Sequence, residues 1–449
     1  FTGFKPPYAG QTLIPATSPF AAFVINNHYP SYLNLGRLTN SYPLTIRNHA
    51  SGIIANHANV SIVNTTFQNI SQVGAYGSFP ATPSGFAIYA RASNNRNIIY
   101  SGQGNNAADP LSFDNCRGAV SIQSTSATIE NAKMNVIRMG VFNRLSQAPS
   151  SIKIYNNTID VIGFRNLAGI ASIFSGTSKF DVIANTIHVQ ASSFLQRSSC
   201  IRLDDNPSAD NSLMHVTGNV CRILNQTTYG ILMQNIARLS LNDNFVFCNQ
   251  GTFTGSQYHY AFSADNCAEV TFYNNTVNSA NSVFQPNGMG FYNYISPRWI
   301  YNCNKAYQLH TGFRFDEDCS SPQNFMGNEI EANNYGLYIN FPSGAIGIQT
   351  HRGNIWSLNN SLFASPHGAA GVYNGANPPQ SEFTVHTLTA PANVYNPVLK
   401  STNLINFQSG TPAQCILISP TPPADEIALA EQAVAQADSS TENENGTLG

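Results

Sequence analysis

The feature that most constrains the fold of this chain is a short unit that recurs along it. The unit reads apolar, any, apolar, one or two polar residues, Asn, Thr or a similar residue, and apolar again, and copies begin at Ile154, Val182 and Phe272. Successive copies are separated by about 25 to 34 residues, which is one coil of three short strands and three turns. Within each copy the apolar residues alternate with the period of two that strands have. The sequence therefore predicts an all-β chain folded as a right-handed parallel β-helix. The key Asn residues of the clearest copies are Asn157, Asn185, Asn219, Asn244 and Asn275.

Length and composition agree with a repeat fold. A chain of 449 residues is too long for one ordinary core, whereas a solenoid lengthens without thickening. Charged residues make up 10% of the chain and the formal net charge is −2, without a basic run, so we expect no nucleic-acid partner. No apolar stretch reaches the roughly 20 residues of a membrane-spanning helix, so we expect no membrane span.

The pattern divides the chain into four parts. Residues 1–44 are predicted to form an N-terminal capping segment, and residues 45–370 the β-helix with about eleven or twelve coils. Residues 371–418 change pattern and are predicted to form a small β-cap, which protects the unpaired backbone at the open end of the helix. Residues 419–449 contain a Pro-rich linker, a short predicted helix and a charged tail.

Two physical reasons explain the recurring Asn. Asn tolerates the left-handed conformation that tight turns need, and Asn side chains stacked on successive coils form amide ladders. N-glycosylation is the functional alternative. The Asn-x-Ser/Thr sites are Asn64, Asn156, Asn274 and Asn359.

Alignment on the key Asn sorts side chains by face. The predicted inward columns contain Ile159, Ile187, Cys221, Val246 and Val277, followed two residues later by Val161 and Cys248. Cys221 and Cys248 are therefore interpreted as core hydrophobes.

Two outward columns carry charge. One contains Asp160, His188 and Arg222, and the other contains Lys153, Asp181 and His215. Such a patch would bind or cleave an acidic sugar chain, or it is a solvated face whose opposite charges pair across rungs.

The sharpest local cluster is Arg202-Leu203-Asp204-Asp205. Paired carboxylates suit glycoside hydrolysis, so the candidate catalytic residues are Asp204 and Asp205 together with the first charged column. A cleft that joins that column to Asp204 would indicate an enzyme. Asn157 to Asp160 resembles the first motif of polygalacturonase-like β-helices, but the Gly-His-Gly and Arg-x-Lys motifs of that family are absent from the sequence.

Metal and disulfide candidates are few. No cofactor is expected, and calcium is the one metal that the acidic residues suit; its candidate ligands are Asp204, Asp205, Asp316 and Asp318, each of which is equally explained by an ordinary acidic loop. The eight cysteines include no Cys-x-x-Cys pair, and Cys303 with Cys319 is the first disulfide candidate.

Aromatic residues supply the candidate ligand-binding surface. Tyr and Trp side chains stack on sugars or on protein partners. The candidates are Tyr258, Tyr260, Tyr292 and Trp299, with the segment from Gly251 to Tyr260 as a binding loop.

The segment from Ile346 to Trp356 and the Gly-Thr-Pro-Ala-Gln-Cys stretch of the cap (410–415) resemble large β-helix-repeat surface proteins of Bacteroidota-type bacteria. The resemblance implies export by the type IX route to the cell surface or the medium, as a module of a longer polypeptide that assembles into a fibre or appendage. It carries over no catalytic residue. The first hypothesis is a structural or adhesive module that binds glycans or neighbouring subunits, including other copies of itself. The alternative is a polysaccharide lyase or glycoside hydrolase that acts on the lateral face.

Overall fold

The computed structural model describes 264 of the 449 residues, all of them within residues 1–414, which form one unit. The predicted linker, C-terminal helix and tail (419–449) lie outside the described residues. The described residues are 21–26, 32–36, 44–70, 85–91, 97–104, 109–144, 150–164, 166–173, 179–192, 197–204, 214–225, 227–248, 258–279, 285–322, 324–340, 344–349, 354–357, 381–385 and 406–409.

The described residues form parallel strands that stack coil upon coil, and the predicted all-β parallel β-helix is confirmed. Each coil has a first, a second and a third strand. The first strands form one 11-stranded sheet, and the second and third strands share one 22-stranded sheet. Numbered along the chain, the first strands are β2 (Tyr32–Leu35), β5 (Asn59–Val63), β8 (Asn97–Ser101), β10 (Ser126–Glu130), β12 (Ser151–Tyr155), β15 (Lys179–Ile183), β18 (Met214–Thr217), β21 (Ala237–Asn242), β24 (Ala268–Tyr273), β27 (Ile300–Asn302) and β30 (Phe325–Met326).

The larger sheet contains both remaining strand positions. The second strands are β3 (Leu44–Arg47), β6 (Thr65–Gln68), β13 (Thr158–Gly163), β16 (Thr186–Ala191), β19 (Val220–Asn225), β22 (Phe245–Cys248), β25 (Thr276–Ser279), β28 (Lys305–Tyr307), β31 (Glu329–Glu331) and β34 (Ile355–Ser357). The third strands are β1 (Ala21–Asn26), β4 (Ser51–Asn56), β7 (Phe86–Arg91), β14 (Ala168–Ile173), β17 (Ser199–Asp204), β20 (Tyr229–Gln234), β23 (His259–Asp265), β26 (Gln285–Tyr294), β29 (Leu309–Asp316) and β32 (Tyr335–Ile339). Two long strands span both positions and are β9 (Phe113–Gln123) and β11 (Lys133–Arg144).

The ends of the β-helix differ from the predicted boundaries. Strands β1 and β2 pair with β4 and β5, so coil strands begin ahead of residue 45. A third, three-stranded sheet contains β33 (Gly347–Gln349), β35 (Ser381–Val385) and β36 (Asn406–Ser409). It joins one strand from the predicted β-helix to two strands from the predicted cap, so strand pairing crosses the boundary predicted at residue 370.

The core lies inside the coil and confirms the inward columns. Ile159, Ile187, Cys221, Val246 and Val277 are all fully buried, and so are Val161 and Cys248. Towards the C-terminal coils the core becomes aromatic. Phe262, Phe291 and Phe313 stack with ring centroids 4.8 and 4.6 Å apart on successive rungs. Stacked rings of this kind contribute beyond the area that they bury.

A ladder of buried amides joins the turns between first and second strands. Asn219 is representative: its Nδ2 donates to Oδ1 of Asn244 (3.0 Å) and to the carbonyl oxygens of Val182 (2.9 Å) and Thr217 (3.1 Å). Its Oδ1 accepts from both the backbone N–H and the Nδ2 of Asn185, each at 3.0 Å. The predicted amide ladder is confirmed, and it extends over eight coils. Its members are Asn157, Asn185, Asn219, Asn244, Asn275, Asn304, Asn328 and Asn354.

The prediction that the key Asn itself adopts the left-handed conformation is wrong, because the residue directly before it has the positive φ. Asn156, Ala184 and Asp243 have φ of 54°, 53° and 53°, and each directly precedes a ladder Asn. The chain therefore uses two adjacent residues for two tasks. The first turns the backbone, and the second fills the turn with an amide. Three of the Asn-x-Ser/Thr sites, Asn64, Asn156 and Asn274, occupy the turning position, and Asn359 lies outside the described residues.

We expect Asn219→Ala to lower the free energy of unfolding by about 3 kcal/mol, because it removes the buried amide that accepts from the backbone N–H of Asn185 and donates to Val182 and Asn244. Asn219→Asp should cost more, since a carboxylate would face carbonyl oxygens. Urea unfolding followed by circular dichroism measures both. The matched control is Asn278→Ala at an outward position of β25, which should change the free energy by less than about 0.5 kcal/mol. Equal effects of the two alanine variants would refute the structural role of the ladder.

Candidate functional site

The structure brings the three residues of the first predicted charged column together on neighbouring rungs, and each of them has a partner across a rung. Asp160, His188 and Arg222 are register partners on β13, β16 and β19. Nδ1 of His188 lies 2.8 Å from Oδ1 of Asp160, and the Arg222 guanidinium lies 5.0 Å from the Phe247 ring on the next rung. The column is thus a row of cross-rung pairs, as expected for a solvated face.

The second predicted charged column has the expected register but a different exposure. Lys153 pairs with Asp181, and Asp181 with His215, across neighbouring first strands. Asp181 is nevertheless buried, and Nζ of Lys179 lies 3.8 Å from its carboxylate.

Asp204 does not join the first charged column. It lies at the end of β17, a third strand, whereas Asp160 and its column partners lie on second strands. The first charged column and Asp204 therefore lie at different strand positions of the coil, and Asp205 lies outside the described residues. The structure instead places Asp204 on a different surface.

That surface is the outer side of the third strands β17, β20, β23, β26, β29 and β32, with the one or two residues ahead of each, and we name it the tyrosine face. Six of its tyrosines are linked through ring contacts, with His310 between two of them. The adjacent ring centroids lie 5.1 to 6.5 Å apart. The six are Tyr229, Tyr258, Tyr260, Tyr292, Tyr335 and Tyr338.

An arginine lies between two of these rings. The Arg314 guanidinium is 5.7 Å from the ring centroid of Tyr292 on the preceding rung and 5.1 Å from that of Tyr338 on the following rung. Its Nε and Nη2 donate to the two carboxylate oxygens of Asp316 at 2.8 and 2.9 Å. The Tyr292 hydroxyl donates to the same carboxylate at 3.2 Å. The cation is therefore fixed in position by stacking and by a bidentate ion pair.

At the N-terminal end of the face, arginine and aspartate side chains are likewise connected by hydrogen bonds. Nε of Arg202 donates to the Asp204 carboxylate at 2.6 Å within β17. On the next two rungs Gln234 accepts from Arg197 and donates to Oδ2 of Asp265 at 2.9 Å. Asp204, Gln234 and Asp265 are register partners, so these polar groups form a continuous row along the helix.

The face also contains buried apolar side chains. Leu232 and Met289 lie outside the main core cluster on β20 and β26, yet each is only 1% exposed. Burial raises the pKa of Tyr260 to about 12 and raises the pKa of Tyr229 and Tyr292. Burial and the nearby arginine lower the pKa of His310. At neutral pH these three tyrosines therefore keep their O–H groups, and the lowered pKa of His310 favours its uncharged form.

Three of the four predicted aromatic candidates belong to this face, and Trp299 does not. Trp299 is 1% exposed and packs in the aromatic core, where its Nε1 donates to the Cys319 carbonyl oxygen at 2.7 Å. The prediction of Trp299 as a ligand-binding residue is wrong, because the first strand turns it inward. Most of the predicted loop from Gly251 to Tyr260 lies outside the described residues.

Alignment on the key Asn did not identify Tyr229, Arg314, Tyr335 and Tyr338 as part of a site. Segments of variable length separate the second and third strands, so the register found at the Asn turn is lost before it reaches them. A Tyr recurs near the start of three third strands, as Tyr229, Tyr260 and Tyr335, and was the available signal.

The predicted metal ligands do not assemble. Asp204 and Asp316 lie four rungs apart, roughly 19 Å at the usual strand spacing. Asp316 is occupied by Arg314, and Asp318 accepts from the backbone of Ser320. Among the residues that the structure describes, no group of three or more His, Cys, Asp or Glu side chains is placed to hold a metal ion.

The predicted Cys303–Cys319 disulfide is wrong. Cys319 is a buried free thiol, as are the other five described cysteines that follow the coil pattern. Cys303 is disulfide-bonded, and its partner lies outside the described residues. Cys303 and Cys319 are close in sequence, but the Cys319 side chain packs in the core with Trp299 and does not pair with Cys303.

No family model, curated protein or solved structure matches this chain. The resemblance to type IX-exported surface proteins therefore stays a prediction. The described part of the chain contains no helix with the length and apolarity needed to cross a bilayer.

Beside the tyrosine face, His259 gives a pH dependence that can be measured. It is 1% exposed, its Nδ1 donates to the Thr227 carbonyl oxygen at 2.5 Å, and burial lowers its pKa from 6.5 to about 4. Below pH 6.5 the unfolded chain binds a proton at this residue, whereas the folded chain does not until about pH 4. Stability that is fully present above pH 6.5 should therefore fall by about 3 kcal/mol as the pH drops to 4.

Thermal unfolding over this pH range should show a shallower acid loss for His259→Gln than for the native chain. His215→Gln, at an outward position of β18, is the control and should keep the native slope. An unchanged slope in His259→Gln would contradict the assignment.

Proposed function

We propose that this chain is an extracellular structural and adhesive β-helix module that binds a glycan along the tyrosine face. One observation carries the proposal: six tyrosines, an arginine fixed between two of them and a row of carboxylate and amide groups occupy successive rungs of one surface. The two charged columns on the other strands offer no comparable aromatic surface.

The chemistry of this surface suits sugars. The apolar C–H faces of a sugar ring pack on half-buried aromatic rings, and its hydroxyl groups need donors and acceptors at the edge of the contact. The tyrosine face supplies the rings through Tyr229, Tyr260 and Tyr292. It supplies the polar groups through Gln234 and Asp265.

A rigid scaffold makes this contact inexpensive. The residues of the face are held by parallel strands, so little backbone freedom is lost when a ligand binds. Cell-surface location, type IX export, and assembly into a fibre with other subunits or copies are proposed from the resemblance of the segment from Ile346 to Trp356. A disulfide at Cys303 supports an oxidising compartment.

Tyr260→Ala and Tyr292→Ala should each weaken binding to a cognate polysaccharide by about tenfold, since each removes a stacking ring. Affinity electrophoresis in gels that contain a soluble polysaccharide measures the loss. Tyr89→Ala is the matched control, because Tyr89 occupies the same outward column as Tyr292 on a distant rung. Retardation that persists in both face variants would reject the tyrosine face as the binding surface.

The second candidate function is glycoside hydrolysis or polysaccharide lysis on the same face. The observation in its favour is that Asp204 and Asp265 lie in one register column, two rungs or roughly 10 Å apart. That spacing is close to the separation of the two carboxyl groups in inverting glycosidases. The ion pair of Asp204 with Arg202 argues against a proton-donating role.

For a pure binding module, incubation with polysaccharides should release no new reducing or unsaturated ends. Ends that appear with the native chain and are lost in both Asp204→Asn and Asp265→Asn would establish the enzyme instead. Asp160→Asn, on the first charged column, controls for unspecific effects of removing a carboxylate.

A further inference from the structure

The charge balance of the tyrosine face restricts the kind of glycan that fits it. We propose that the face binds a neutral, polymeric glycan and discriminates against polyuronates and other anionic chains. This inference rests on the proposed function and specifies its ligand class.

Each arginine of the face is already neutralised. Arg202 pairs with Asp204, and their side chains are only 13% and 9% exposed. Arg314 pairs with Asp316, with side chains 23% and 10% exposed. An anionic ligand would have to separate one of these largely desolvated pairs, which leaves a carboxylate without its cation.

The third arginine of the face, Arg197, is connected to an aspartate through an intervening glutamine. Arg197 donates to Gln234, and Gln234 donates to Asp265, so cation and anion lie at the two ends of one hydrogen-bonded chain. The described residues of the face thus carry three arginines and three aspartates. The low pKa of His310 adds no positive charge at neutral pH.

Two tyrosine rings and one carboxylate restrict how a ligand anion can reach the Arg314 guanidinium. Tyr292 and Tyr338 contact it from the preceding and following rungs, and two of its nitrogens bind Asp316. Asp316 occupies the Nε/Nη2 edge of the guanidinium, so a ligand carboxylate at the remaining Nη1/Nη2 edge would have to share Nη2 with Asp316 and would meet its negative charge. Sugar hydroxyls avoid this conflict, because each donates and accepts. They can donate to carboxylate oxygens and tyrosine oxygens on the same face.

The extent of the face points to a polymer. From β17 to β32 it covers five rung intervals, roughly 24 Å along the helix axis. Tyrosine rings occur near both ends, at Tyr229 and Tyr338, so a monosaccharide would contact only a fraction of them. Affinity should therefore rise with the length of the oligosaccharide.

The test compares soluble neutral polysaccharides, such as a β-glucan, a xylan and a galactomannan, with polygalacturonate and alginate. Dissociation constants are measured with the native chain and with Tyr260→Ala at about 50 mM and about 500 mM NaCl. We expect at least one neutral polymer to bind in a Tyr260-dependent manner, with a dissociation constant that changes less than about twofold with salt. Polyuronates should bind at least about tenfold more weakly.

A charge variant sharpens the test. Asp316→Asn keeps the shape of the side chain but leaves Arg314 without its anion, so affinity for polygalacturonate should rise several-fold and fall again with salt. Asp265→Asn, at a more exposed position of the same face, is the second variant if Asp316→Asn does not fold. Asp160→Asn makes the same charge change on another surface and should alter nothing.

The outcomes separate the two proposals. Polyuronate binding by the native chain that depends on Tyr260 and weakens with salt would overturn the neutral-ligand inference and leave the glycan-binding function standing. Absence of Tyr260-dependent binding to every polymer of either class would overturn both. Affinity that is the same for a monosaccharide and a long oligosaccharide would overturn the polymer assignment alone.

Discussion

The ladder of buried asparagine amides is the interaction on which the rest of this structure depends. Each ladder Asn from Asn157 to Asn328 contacts the coil before and the coil after its own, so it fixes the turn and sets the register at once. At the start of the ladder, Oδ1 of Asn157 accepts a hydrogen bond from the backbone N–H of Ala132 at 3.0 Å. A one-residue slip at any coil would break several buried hydrogen bonds and turn apolar side chains outward. The coil therefore has one register.

A fixed register turns sequence spacing into surface chemistry. Residues 21 to 46 positions apart in the chain become neighbours on adjacent rungs, so short segments distributed along the sequence build one continuous face. The aromatic core helps in the C-terminal coils, where Phe291 stacks on Phe262 and Phe313 beneath Tyr260, Tyr292 and Arg314. Rigid rings below and paired charges above hold the outer side chains in place before a ligand arrives.

The sequence was sufficient to predict the coil, its inward columns and the first charged column, because all of these follow the key Asn at a constant distance. It was insufficient for the third strands, because the segments leading to them differ in length and carry no marker residue of their own. Burial explains the other errors. Trp299 precedes the first strand β27 and Cys319 follows the third strand β29, in segments without a clear alternation, and only their packing shows that both side chains lie inside. The aromatic candidates Tyr258, Tyr260 and Tyr292 were identified individually, whereas their union into one face required the register.

The scarcity of charge in this chain is connected to the same geometry. Stacked parallel strands place identical columns about 4.8 Å apart, so an unpaired charge repeated on successive rungs would repel its neighbours along the whole helix. Charged columns are accordingly mixed in sign or interrupted by aromatic and amide groups, as in Asp160 with His188 and in Arg314 between Tyr292 and Tyr338. A chain built in this way has a formal net charge of only −2. The glycan recognition that we propose accordingly relies on rings and hydroxyl-binding groups, since the scaffold itself disfavours the uncompensated cationic row that an anionic polymer would need.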